Sequence, residues 1–215
     1  MMMNLIISYL IFFISDVEPP GTIKVNNIYF DKTETQNIHW LEFLYYKKQE
    51  LDSVNYLKLL PESANNWYDI PDRRFEPIVF ITYNQAIEYC KWRSLVVSNK
   101  LGREVVYRLP TKEEWRLVAE NVIKSNHKSI SEDLQKTKAK IKKSPNHYVI
   151  QSIEKPKNRV YYLFDNVSEM TIEKGIGIGS NNYQLTDLES NLTTLINYDS
   201  PNLYLGFRCV AEFKN

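Results

Sequence analysis

Cysteine is nearly missing from this chain. Cys90 and Cys209 are the whole supply in 215 residues, and the stretch 172–208 contains none. A thiolate-pair metal centre within that stretch is therefore excluded. The three histidines, His39, His127 and His147, are scattered, with no second His or Cys at ligand spacing. No transition-metal site follows from them. An excess of charge is also lacking: 27 Lys and Arg stand against 26 Asp and Glu, a net charge of +1. That balance gives no electrostatic case for nucleic acid or for a strongly acidic partner. Long apolar runs are lacking too. The one candidate, Leu5 to Ile14, is uncharged but shorter than the about 20 residues that a membrane-spanning helix needs. It suits the apolar region of a signal peptide, although no Lys or Arg precedes it and Phe13 and Ser15 make a poor cleavage site. Residues 1–15 are read as an export signal, with a buried first strand or the clipped start of a longer leader as alternatives. No cysteine lies near residue 15, so a lipid anchor is not expected.

What is present fits one soluble domain: 43% hydrophobic and 25% charged residues in a chain long enough to bury a sizeable core. Around Asn26-Asn27 the runs TIKV and IYFD predict a short hairpin. Three segments share one helix-start pattern: Thr33 to Gln36, Thr82 to Gln85 and Thr111 to Glu114 each match a capping box. In that box the hydroxyl accepts from the third backbone amide while the Glu or Gln reaches back to the cap amide. Ile38, Leu41, Leu44 and Tyr45 then predict one buried helical face, and Trp115, Val118, Ala119 and Val122 another. Residues 62–74 read as irregular loop. Residues 124–146, rich in charge and poor in apolar side chains, read as a solvated insertion or a partly ordered helix. From His147 onward, HYVIQSI, RVYYLF and NLYLGFRCV read as short β-type runs. Gly175-Ile-Gly-Ile-Gly179 lacks the lysine of a phosphate loop and a following amphipathic helix, so it reads as tight backbone passage. Asn166-Val-Ser and Asn191-Leu-Thr are glycosylation sequons, relevant only in a glycosylating secretory pathway.

Four blocks carry the functional reading: PIVFITYNQAIEYCKW (77–92), YRLPTKEEW (107–115), NVSEMT (166–171) and YLGFRCV (204–210). In this order they resemble the formylglycine-generating enzyme family, the sulfatase-modifying-factor domain, over most of residues 19–213. The resemblance implies a compact, irregular α+β fold related to C-type lectins, with little regular secondary structure. Active family members bind copper through two cysteines and use oxygen to convert a substrate cysteine into formylglycine. Their cysteines lie between the third and fourth blocks, where this chain has none. The usual third block reads GNVWEWT, so Ser168 and Met170 stand where the family has tryptophan.

The resemblance also implies specific residues. Cys90 and Cys209 match the family's structural pair, which supports one disulfide in an exported chain; two separate buried thiols are the cytosolic alternative. Such a link would stabilise by about 4–5 kcal/mol in the chain-entropy model. A family calcium site maps onto Glu169 and the carbonyls of Asp165 and Val167. Its asparagine position is Tyr162, which departs from the pattern, while the Asp165 carboxylate is a candidate replacement. Arg208, beside Cys209, should be buried and paired with Glu114, with Glu169 or with backbone carbonyls. Trp40, Trp92 and Trp115 are expected in the core, and Trp67 is the one surface-contact candidate.

The resulting expectation is a non-catalytic extracytoplasmic protein, a pseudoenzyme acting as a structural or interaction part. The EYCKWRS wording resembles that of the family's gliding-motility and secretion-machinery lipoproteins, which implies periplasmic, outer-membrane-associated or secreted placement. It also implies protein partners in the cell envelope, with membrane association only indirect or through the leader. Two alternatives stay open: a lectin-like ligand-binding module, and an oxidase of the formylglycine-generating type with a different site.

Overall fold

The computed structural model describes residues 17–62, 66–143 and 159–214, so the export-signal segment 1–15 and the run HYVIQSI lie outside the described residues. Two four-stranded sheets carry the architecture. The first begins with the predicted hairpin, β1 (Thr22–Val25) and β2 (Ile28–Asp31), in which Val25 pairs with Ile28. Asn26 takes a positive φ of 53° at the turn, a conformation that asparagine tolerates. β3 (Val105–Arg108) and β8 (Val210–Phe213) complete it in the order β1-β2-β8-β3. The second sheet runs β6-β5-β4-β7, from β4 (Ser168–Met170), β5 (Ile176–Ile178), β6 (Leu195–Asn197) and β7 (Leu205–Gly206). β4 and β7 are parallel, with Glu169 opposite Gly206, and this register brings the third block beside the fourth.

The helices are α1 (Asn37–Glu50), the short α2 (Ser53–Leu57), α3 (Tyr83–Leu101), α4 (Lys112–Lys143) and the short α5 (Leu188–Thr193). At α3 both bonds of the predicted box form: Gln85 N–H donates to Thr82 (3.2 Å) and Thr82 N–H donates to the Gln85 side chain (2.7 Å). At α4 Glu114 N–H donates to Thr111 (3.1 Å), and Thr111 N–H to the Glu114 carboxylate (2.8 Å). The first box does not form. Gln36 is itself the cap residue of α1, and its amide instead donates to the Phe75 carbonyl at 3.1 Å, across a long-range contact.

The buried face of α1 also differs from the expected one. Trp40, Phe43 and Leu44 go inward, while Tyr45 stays 66% exposed. The aromatic surface of Trp40 and Phe43 outweighs the aliphatic pattern, because both rings pack on Tyr89 and remove more apolar area from water. This cluster, with Trp92 and Phe207, forms one core; Phe30, Trp115, Val118, Leu163 and Ile178 form a second.

Of the two readings of residues 124–146 the helical one holds for 124–143, which continue α4 past a kink at Asn126. Leu134 and Thr137 are buried along this half, which explains why so charged a stretch holds a helix. The run RVYYLF forms no strand: its backbone turns through Tyr162 (φ 56°), and Tyr161 N–H donates to Lys32 O at 2.8 Å. Asn166 and Asn191 are fully buried, so neither sequon presents its amide to a glycosylating enzyme.

Candidate functional site

Three sequence blocks converge on a buried polar centre. Arg208 is fully buried, and its Nε and Nη2 groups donate to Glu169 at 2.5–2.8 Å. Its other donors reach the carbonyls of Asp31 (3.1 Å) and Tyr161 (2.9 Å). Trp115 Nε1 donates to the same Glu169 carboxylate at 2.8 Å. Glu114 takes no part; it binds Arg108 at 2.6–2.7 Å near the surface. A second buried acid, Glu34, accepts from Asn166 (3.0 Å) and lies 4.0 Å from Arg208. One guanidinium thus faces two carboxyls, and only Glu169 is in direct contact. Burial pushes Glu34 up to about 8, against the pull of Arg208. Ser168, in place of a family tryptophan, is buried and donates to Gly179 O at 2.8 Å.

Of the candidate calcium set, Glu169 with the carbonyls of Asp165 and Val167, the one side-chain ligand is already engaged by other partners. Both Glu169 oxygens already accept from Arg208, one of them also from Trp115. A calcium ion drawing on them would sit against an unscreened guanidinium. Asp165 accepts from the Thr137 hydroxyl at 2.9 Å. Among the described residues no group of three or more His, Cys, Asp or Glu is placed to hold a metal.

Cys90 and Cys209 come together, but as free thiols with sulfurs 3.4 Å apart and not as the expected disulfide. The contact with Cys209 and burial push the Cys90 thiol well above its usual range. A thiol held protonated is a poor nucleophile and a poor metal ligand. The same corner contains a pair that the sequence reading missed. Arg93, one turn after Cys90, binds Asp31 bidentately at 2.6 and 2.8 Å, and Asp31 also accepts from Cys209 N–H. Charge and hydrogen bonds therefore tie β2, α3 and the fourth block together.

A different character appears where the cysteine-free stretch 172–208 reaches the surface. The turn after β4 and the loop after β6 meet the start of α3 around a cavity of about 270 Å³. Tyr83, Lys174, Tyr198 and Asp199 line it. Tyr83 donates to Ile172 O at 2.7 Å. Burial pushes the Tyr198 phenol up to about 12. Further along the same loop, Tyr204 stacks on Tyr183 with ring centroids 4.9 Å apart, and Tyr183 is 70% exposed. The loop is fixed by Phe80 N–H, which donates to Asn202 O at 3.2 Å. Trp67, the expected surface contact, is half-buried, with the Arg73 guanidinium 3.5 Å above its ring. The sequence signal for this face was the abundance of tyrosine, 15 in all, which composition alone does not localise.

The profile of the family described as "Sulfatase-modifying factor enzyme 1-like domain" matches residues 9–193. No curated protein matches the chain in sequence. Among solved structures the chain is similar to Treponema denticola variable protein 1, with 14% identity and a TM-score of 0.47, over 85% of this chain and 84% of that one.

Proposed function

The chain belongs to the sulfatase-modifying factor enzyme 1-like domain family, and from that premise we propose that it is a non-catalytic extracytoplasmic member that works as an interaction protein. The observation that carries this reading is the exchange of chemistry at one place. The stretch in which active relatives keep their cysteines has none here; it supplies Tyr198 to a small cavity shared with Tyr83, and the stacked pair Tyr183 and Tyr204. Both thiols of the chain lie buried against each other, and neither lines that cavity. Tyrosine offers large contact area at low conformational cost, which suits protein recognition. The wording of the EYCKWRS block supports a partner in the cell envelope, within motility or secretion machinery. In an exported setting Cys90 and Cys209 would join as a disulfide.

The test is crosslinking in the native envelope, comparing the intact chain with a Tyr183→Ala/Tyr204→Ala variant. The reading expects a discrete crosslinked species that the double variant loses while remaining folded. A species that is identical in both would move the contact elsewhere. A second reading, a ligand-binding module, draws on the same cavity of about 270 Å³. Saturable binding of a small glycan, competed away by none of the envelope proteins, would favour it.

A further inference from the structure

The second half of α4 carries an excess of positive charge, of which Lys136 pairs with Asp133 of the same half at 3.1 Å. Residues 124–143 contain seven lysines against two acids, Glu132 and Asp133. The rest of the chain then holds 20 of the 27 cationic side chains and 24 of the 26 acids, so the two signs are segregated. All seven lysines are exposed. Lys136, Lys140 and Lys143 form one row along the helix, and Lys138 with Lys142 forms another, at the spacings that place side chains one above the other. The inward positions Leu134 and Thr137 seat this half on the body, so the rows are presented on a fixed support about 30 Å long. Lys140, Lys142 and Lys143 also complement the negative end of the helix dipole, but the four upstream lysines are too far from it for that role.

The composition of this surface selects its partner. Every cation in 124–143 is lysine and none is arginine, so there are no planar forks for bidentate carboxylate or phosphate recognition. The stretch contains no aromatic residue other than His127, so it offers neither a hot-spot anchor for a protein nor a stacking platform for bases. Diffuse point charges on a fixed rod match a diffuse anionic surface. Among the described residues no helix is long and apolar enough to cross a membrane, so any contact with a bilayer through them would be peripheral. We propose that the lysine rows of α4 dock the protein onto a bilayer rich in anionic lipid headgroups. The proposal is independent of the tyrosine face and of whether the chain is catalytic.

The test uses the full chain and extruded vesicles of phosphatidylglycerol mixed with phosphatidylcholine, with pure phosphatidylcholine vesicles alongside. Co-sedimentation is expected with the anionic vesicles only, and it should be released at about 0.5 M salt, where screening is nearly complete. Replacing Lys136, Lys138, Lys140 and Lys142 by Gln should lower vesicle partitioning by about tenfold or more. The corresponding Lys→Arg variant should restore it. Replacing Lys47 and Lys48 of α1 by Gln should leave it unchanged. Equal binding to neutral vesicles, equal loss with the α1 control, or no binding at low salt would overturn the proposal. Tighter binding to a duplex DNA fragment than to the anionic vesicles would also overturn it, by making the rows a nucleic-acid surface.

Discussion

The centre around Arg208 and the face around Tyr183 are built from overlapping stretches of chain, yet they follow opposite rules. At the centre every strong donor of Arg208 has an acceptor, and Glu169 is held by Arg208 and Trp115 together. Around Tyr183 the packing is looser: Tyr183 is 70% exposed and stacks on the half-buried Tyr204, while Tyr83 and Tyr198 are half-buried against the edge of the core. Burial makes the first region intolerant of change, since an unpaired charge in the interior costs several kcal/mol. At the exposed Tyr183 the second can vary without unfolding the protein, because substitutions at exposed side chains rarely move stability by more than about 0.5 kcal/mol. A family can keep the frame through the first and change its business through the second.

Breaking the first region should have the largest effect. Arg208→Met strands Glu169 in the core and should cost about 3–5 kcal/mol of stability by denaturant titration. A melting temperature equal to that of the unchanged protein would remove Arg208 from the frame. Gly179→Ala probes the same region through the backbone. Gly179 has a φ of 80°, and an added methyl carbon would lie 2.9 Å from the Trp115 ring. About 1–3 kcal/mol of destabilisation is expected, readable in the same titration.

Glu34 sharpens the comparison by pH. Its folded-state pKa of about 8 lies above its ordinary 4.5, so the folded state binds the proton more tightly. Its contribution to stability is full below about pH 4.5 and is lost as pH rises toward about 8. Glu34→Gln, which mimics the protonated acid, should flatten that decline in a pH series of melting temperatures. An unchanged slope would mean that another group controls it. The smallest effect on stability is expected at the face: Tyr183→Ala with Tyr204→Ala should shift unfolding by less than about 1 kcal/mol. A larger loss would make the stack part of the frame.

The frame was largely legible in the sequence, because its signals are local or come in blocks. The Asn26 turn and the boxes at Thr82 and Thr111 each need only three or four neighbouring residues, and all three form. The box at Thr33 failed because the partner of Gln36 lies at Phe75, far along the chain, and no local pattern encodes that contact. The charged half of α4 was legible as an insertion or a partly ordered helix, and the two inward residues that seat the helix, Leu134 and Thr137, carry no strong pattern. The site was less legible. Asp31 and Arg93 are 62 residues apart, and nothing in either segment announces the other. Tyr83 of α3 meets Tyr198 of the loop after β6 at the cavity, and Tyr183, near Asn181, meets Tyr204; both meetings are products of the fold alone.

The proposed loss of the family's chemistry is tested most directly by one assay. The purified chain, with and without added copper, is incubated in air with a peptide containing a Cys-x-Pro-x-Arg motif, and the peptide is read by mass spectrometry. With no cysteine in 172–208 and both thiols buried, no aldehyde should form above the level of a protein-free control. Copper-dependent conversion of the peptide cysteine to formylglycine by the purified chain would contradict the account.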